Sequence, residues 1–217
     1  MVSEATRLFL IRHGETEWNA SHIFQGHLDS ALTSRGLAQA NAVAHRLAEE
    51  GIAAIYSSDQ GRSLRTAEPL ATRLNLEVVP RAELREIHCG EWTGRSYEEV
   101  GRLWPEDHGN WRHHPHLHKM PGGESVLQVQ QRGQRFLEEI RRLHPGQTVC
   151  AVTHNTVVRA VVCQLKGWPL SRIWEGERQP NCAVNLIELR DGLAHLILVS
   201  DANHLASIGA VGLEFGS

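Results

Sequence analysis

The chain is short of the features that would place it in several large classes. None of its segments approaches the roughly 18 consecutive apolar residues of a membrane-spanning helix, and Met1 to Thr6 has no basic start followed by an apolar core. Neither a spanning segment nor a signal peptide is therefore expected, and the expected location is cytoplasmic. Neither sign of charge is in excess: 22 Lys and Arg stand against 25 Asp and Glu, a formal net charge of −3, which offers no broad basic field for nucleic acid or an anionic membrane. The four cysteines, Cys89, Cys150, Cys163 and Cys182, include no Cys-x-x-Cys pair of the kind used for zinc or redox work. Cys150 and Cys163 interrupt apolar runs and read as small core residues. A Walker-type glycine loop and a carboxylate cluster suited to magnesium are also missing.

What the chain does have is histidine, 14 in 217 residues, which invites a catalytic, metal-binding or pH-sensing reading. The length suits one domain, 1–217, able to bury a sizeable core. Leu8 to Ile11 is a short apolar run cut off at Arg12-His13-Gly14 and predicts a buried strand. Thr33-Ser34 precedes Leu37, Ala40, Ala44 and Leu47 at helical spacing, up to Gly51. Ile52 to Tyr56 predicts a second strand, followed by a helix through Leu64, Ala67, Leu70, Ala71 and Leu74, and Leu76 to Val79 a third strand stopped by Pro80. From Leu84 to Pro121 the periodicity dissolves, apart from a short helix Tyr97 to Trp104, and a lid at about 92–122 is expected. Gly122-Gly123-Glu124-Ser125 introduces a long helix, Thr148 to Val152 is another buried strand, and a helix from Thr156 to Leu165 follows. Ala183 to Leu189 and Ala194 to Val199 form an expected edge hairpin. Alternating strands and helices predict an α/β fold: three layers, α/β/α, with a mostly parallel central sheet and an antiparallel edge.

Ligands of such sheets bind beyond the carboxyl ends of the strands. There the sequence places Arg12-His13-Gly14, Ser57-Ser58-Asp59 with Arg62, and Thr153-His154-Asn155. Two arginines and two histidines on one edge suit a compact anion, with the planar forks of Arg12 and Arg62 as phosphate clamps and His154 at a helix start. Cations around His13 keep its imidazole neutral, hence nucleophilic, so a phosphoryl group can pass to it. A basic alkoxide leaving group needs an acid, for which Glu86 is the candidate, with Glu83 close by in sequence.

The run Leu10-Ile11-Arg12-His13-Gly14-Glu15-Thr16-Glu17-Trp18-Asn19 resembles the signature of the histidine phosphatase superfamily, the phosphoglycerate mutase-like proteins. Phe24-Gln25-Gly26-His27, Leu84-Arg85-Glu86, Gly122-Gly123-Glu124-Ser125 and Val152-Thr153-His154 are similar to the family pattern in order and spacing. The resemblance implies His13 as the phosphorylated nucleophile, Arg12, Arg62 and His154 around the transferring group, Asn19 on the phosphate, Gln25 and Gly26 lining the pocket, and Glu86 as proton donor. Asn155 stands where many relatives have Gly and joins the substrate-binding set. No cofactor and no metal are implied, and the expected partner is a small phosphorylated metabolite, with the edge hairpin leaving room for a homodimer. Val152 to Ala160 and Pro180 to Val184 look most like metal-independent phosphoserine phosphatases and α-ribazole phosphatases, so the expected activity is hydrolysis of small phosphomonoesters, phosphoserine among them. A phosphoglycerate mutase is the alternative. It is disfavoured because members of that kind carry a longer lid insertion with extra basic and Tyr residues. An inactive regulatory module is a further alternative, and so is a metal carrier built on His113, His114, His116 and His118. His88 and His204 are possible substrate contacts.

Overall fold

The apolar run at the start of the chain lies within strand β1 (Thr6–Arg12), and its side chains alternate between two faces. Phe9 and Ile11 enter one buried cluster and Leu8 and Leu10 the other, as the two-residue period of a strand requires. The computed structural model describes residues 5–208. Around β1 it places β2 (Ile52–Ser58), β3 (Val78–Arg81), β4 (Thr148–Thr153), β5 (Val184–Arg190) and β6 (Leu193–Asp201) in one sheet of order β3-β2-β4-β1-β5-β6. The pairs β3-β2, β2-β4 and β4-β1 are parallel, and β1-β5 and β5-β6 antiparallel, which is the expected architecture. Asp191 and Gly192, with φ of 51° and 81°, turn the β5-β6 hairpin, a two-residue connection that needs left-handed backbone at both positions.

Helices cover both faces. After the single turn α1 (Glu17–Ala20), α2 (Ser34–Leu47) and α3 (Gly61–Leu74) pack on each other and on the Phe9 and Ile11 face through Val43, Leu47, Leu70 and Ala71. On the other face, α6 (Val126–Leu143) and α7 (Asn155–Leu165) bring Phe136, Ile140, Val158 and Val161 against Leu8 and Leu10. Burying each such side chain contributes about 1.5–3 kcal/mol. Thr33 caps α2 by accepting from the Gly36 amide, and Ser125 forms a capping box with Gln128 at the start of α6. All four cysteines are buried and unpaired, and Cys150 belongs to the core. No helix among the described residues is long and apolar enough to cross a membrane.

Two expectations need correction. The third strand runs past Pro80 to Arg81. It lies at the sheet edge, where a residue without an amide hydrogen need break no ladder bond on its open side. The segment after Leu84 is more helical than its pattern suggests: α4 (Tyr97–Leu103) is followed directly by α5 (Pro105–His113), which buries none of its residues and so carries no apolar stripe. With Met120, Trp92 and Val100, this region forms a third cluster over the start of α6 and α7.

Candidate active site

Strand register assembles the centre. Arg12 pairs with Thr153 across the parallel β1-β4 ladder, and the His13 amide donates to the Thr153 carbonyl at 2.8 Å. His13 and His154 therefore emerge side by side at the carboxyl edge, their ring centroids 5.0 Å apart and tilted by 59°. His13 Nδ1 lies 2.7 Å from the Gly14 carbonyl. A carbonyl can only accept, so Nδ1 holds the proton and Nε2 keeps a free lone pair. Burial foremost, then the charges of Arg62 and Arg12, hold the His13 pKa well below its ordinary 6.5. Desolvation, rather than the two arginines, is the larger cause. His154 caps α7 and is fully buried, with its pKa also held down, first by burial and then by Arg62 and His13. Its Nε2 is 3.2 Å from Ser63 Oγ, and its Nδ1 has no hydrogen-bond partner among the described residues.

Beyond the two rings opens a cavity of about 730 Å³. Every other residue expected in the site reaches its wall: Arg12, Asn19, Gln25, Gly26, Arg62, Glu86 and Asn155, together with His13. His154 stands behind the wall against His13. Arg12 Nη1 donates to the Gln179 carbonyl at 2.5 Å, and burial pushes the Arg12 pKa down to about 10. Arg62 differs from the expected open fork. Its Nη1 donates to Leu28 O at 2.7 Å and to Asp29 Oδ1 at 2.8 Å, and its Nη2 to Gly26 O at 2.9 Å. Three of its five N–H groups are thus used, which leaves for an anion the Nε–H, buried and without a partner among the described residues, and the second N–H of Nη2. Gly26 is itself pressed against Cys89: its φ is 50°, and a Cβ there would lie 2.9 Å from the Cys89 amide. Asn19 Oδ1 accepts from Thr16 and, at 3.3 Å, from Asn181 Nδ2, so its amide nitrogen is the end available to a ligand.

Glu86 Oε1 accepts from the Ile87 amide at 2.8 Å and Oε2 from the Thr156 amide at 3.4 Å. Glu83 does not line the cavity. The segment carrying Glu86 is clamped from below by Arg132 of α6, which donates to the carbonyls of Glu83 (2.8 Å) and Glu86 (3.0 Å) and pairs with Glu124 at 3.2 Å. Beside it Asp59 holds Arg85 in an ion pair.

Several further residues line the cavity. Tyr97, its phenol pushed up to about 12 by burial, stands on the wall with Trp111, Trp174, Arg112, Arg159 and Arg178. Arg159 follows Asn155 by one helical turn, and that spacing alone marks it as facing the same way. Conversely, His88 and His204, considered as substrate contacts, are elsewhere: His88 packs edge-on against His27, and His204 donates to the Cys182 carbonyl at 3.1 Å. The histidine cluster of the lid is divided, with His113 on the cavity wall and His118 stacked on Trp92.

A strand-edge imidazole with Nε2 unbonded among the described residues, two arginines and a second buried imidazole, on a mixed sheet of this order, are the parts that a phosphohistidine type of phosphoryl transfer requires. The profile of the histidine phosphatase superfamily (branch 1) matches residues 8–202, and the chain belongs to this family. It is 42% identical to phosphoserine phosphatase 1 of Hydrogenobacter thermophilus over 77% of this chain and 80% of that one. It is 37% identical to a metal-independent phosphoserine phosphatase of Arabidopsis thaliana, over 95% and 86%. A probable phosphoglycerate mutase, GpmB of Escherichia coli, is 32% identical over 96% and 97%. Among solved structures, Bacillus stearothermophilus YhfR superimposes with a TM-score of 0.90 at 35% identity, over 93% of this chain and all of that one.

Proposed function

We propose that the chain hydrolyses small phosphomonoesters in two steps through a phosphohistidine at His13. The observation that carries this reading is the His13 ring itself: Nδ1 engaged by Gly14 O, Nε2 bare, and the neutral form favoured by burial and two arginines. Nε2 attacks phosphorus and the ester P–O bond breaks, while Glu86 gives its proton to the departing alkoxide. Glu86, now a carboxylate, takes a proton from water as the water oxygen attacks phosphorus. The N–P bond then breaks, returning the electron pair to Nε2 and releasing phosphate. Arg12, Arg62 and the Asn19 amide surround the phosphoryl oxygens, where fixed donors stabilise the charge that develops in transfer, and His154 backs the His13 ring from behind the wall. Gln25 and Gly26 shape the wall, and Asn155 faces the substrate's alcohol portion. The segment 92–122, folded as α4 and α5, acts as a lid that limits access to the pocket.

The names of the two phosphoserine phosphatase relatives support phosphoserine as a substrate. The test is hydrolysis of p-nitrophenyl phosphate in the presence of EDTA by the wild type and by His13→Ala, with phosphoglycerate mutase turnover measured in parallel. The expected result is phosphate release that survives chelation and is lost in the variant. Retained activity in His13→Ala, or loss on chelation, would overturn the proposal.

A further inference from the structure

The cavity extends past the phosphoryl site to a second positive pole that the chemistry at phosphorus does not use. Arg159, 8% exposed on α7, donates through Nε to Asn155 Oδ1 at 3.2 Å and through Nη1 to the Ile173 carbonyl at 3.3 Å. Its guanidinium also lies over the Trp174 ring, 5.9 Å from the centroid. Arg178, also on the wall, makes no side-chain hydrogen bond or ion pair among the described residues. The two acids beside it in sequence are occupied: Glu175, which also lines the cavity, by Arg172 at 2.6 Å, and Glu177 by Lys166 at 2.5 Å. Burial first, and then the charge of Arg178, hold the Arg159 guanidinium below its ordinary pKa, and Arg159 in turn acts on Arg12. Two like charges thus line one concave site, an arrangement that a bound anion relieves.

We propose that Arg159 and Arg178 form a subsite for a carboxylate on the alcohol portion of the substrate, so that the enzyme selects phosphomonoesters of small hydroxy acids. This rests on the phosphomonoesterase reading above and names its substrate class. Both arginines line the same cavity as His13, Arg12 and Asn155, so an ester whose phosphoryl group lies at His13 has its alcohol portion in the space they share. Arg159 keeps its orientation through the Asn155 and Ile173 contacts, while the exposed Arg178 supplies the adjustable half of the clamp.

The experiment compares phosphoserine with phosphoethanolamine, which lacks only the carboxylate, in the wild type, Arg178→Ala and Arg178→Glu. The wild type is expected to favour phosphoserine in kcat/KM by about tenfold or more, chiefly through KM. Arg178→Ala should shrink that ratio several-fold, and Arg178→Glu should shrink it further. A wild type with no preference, or variants that slow both substrates equally, would overturn the subsite. A wild type that hydrolyses neither these esters nor p-nitrophenyl phosphate would instead overturn the phosphomonoesterase reading.

Discussion

His13 owes its chemistry to two constraints on one ring, a carbonyl that fixes the tautomer and a buried, cationic setting that disfavours protonation. Because its pKa is lowered, the reactive neutral form persists as pH falls through 6.5. The kcat/KM for p-nitrophenyl phosphate, whose leaving group needs little acid help, should therefore show no inflection near 6.5 when measured over roughly pH 5 to 8. An acid limb centred at that value would contradict the geometry. Glu86→Gln separates the acid from the nucleophile: alkyl phosphates should lose about 10²–10⁴-fold in kcat/KM, with a much smaller loss for the nitrophenyl ester. At this scale Arg12, His13 and His154 were legible because each directly follows or ends a buried strand. Arg178 and Asn181 were not, since nothing in an irregular stretch announces which polar side chain turns inward, and Arg159 had only its one-turn spacing from Asn155 to mark it. The occupation of Arg62 by Asp29 and two carbonyls was equally invisible, being a property of a loop from elsewhere in the chain.

Among the elements, α6 supports the site without touching its cavity. Arg132 joins the carbonyls of Glu83 and Glu86 to the Glu124 carboxylate, fixing the backbone on which the acid stands. Arg132→Met should lower turnover of alkyl phosphates more than that of p-nitrophenyl phosphate, reproducing Glu86→Gln in weaker form. An equal loss on both substrates would mean that Arg132 only stabilises the fold. The neighbouring crossing of 88–90 with 121–123 leaves no room for a side chain. At Gly90, φ is 54° and a Cβ would stand 1.9 Å from the Pro121 carbonyl oxygen. Gly90→Ala is expected to cost roughly 2–4 kcal/mol in denaturant unfolding. The buried strands and the amphipathic α2, α3, α6 and α7 could be read from their periodicity. Helix α5 could not, because a helix with no buried residue leaves no period to read. Its markers were Pro105 at the first turn, acids Glu106 and Asp107 at the start and Arg112 and His113 at the end.

For the whole molecule, the many histidines and the small net charge act at different levels. The net charge of −3 says nothing of the anion site, because local arginines set the field there. The buried histidines tie stability to pH. His13 and His154 have folded pKa values well below 6.5, so the unfolded chain takes up protons first as the solution is acidified. Stability is complete above 6.5 and falls below it, at up to about 2.7 kcal/mol per pH unit for the two together. Melting temperatures measured in steps from pH 8 to pH 5 should decline once 6.5 is passed, and a flat profile would contradict the burial of neutral imidazoles. The most direct test of the central claim is to mix Glu86→Gln with p-nitrophenyl phosphate, quench in alkali and map the phosphoryl group by peptide mass spectrometry. The account predicts a burst of one nitrophenolate per chain and a phosphoryl group on His13; a label on His154, or no burst and no label, would contradict it.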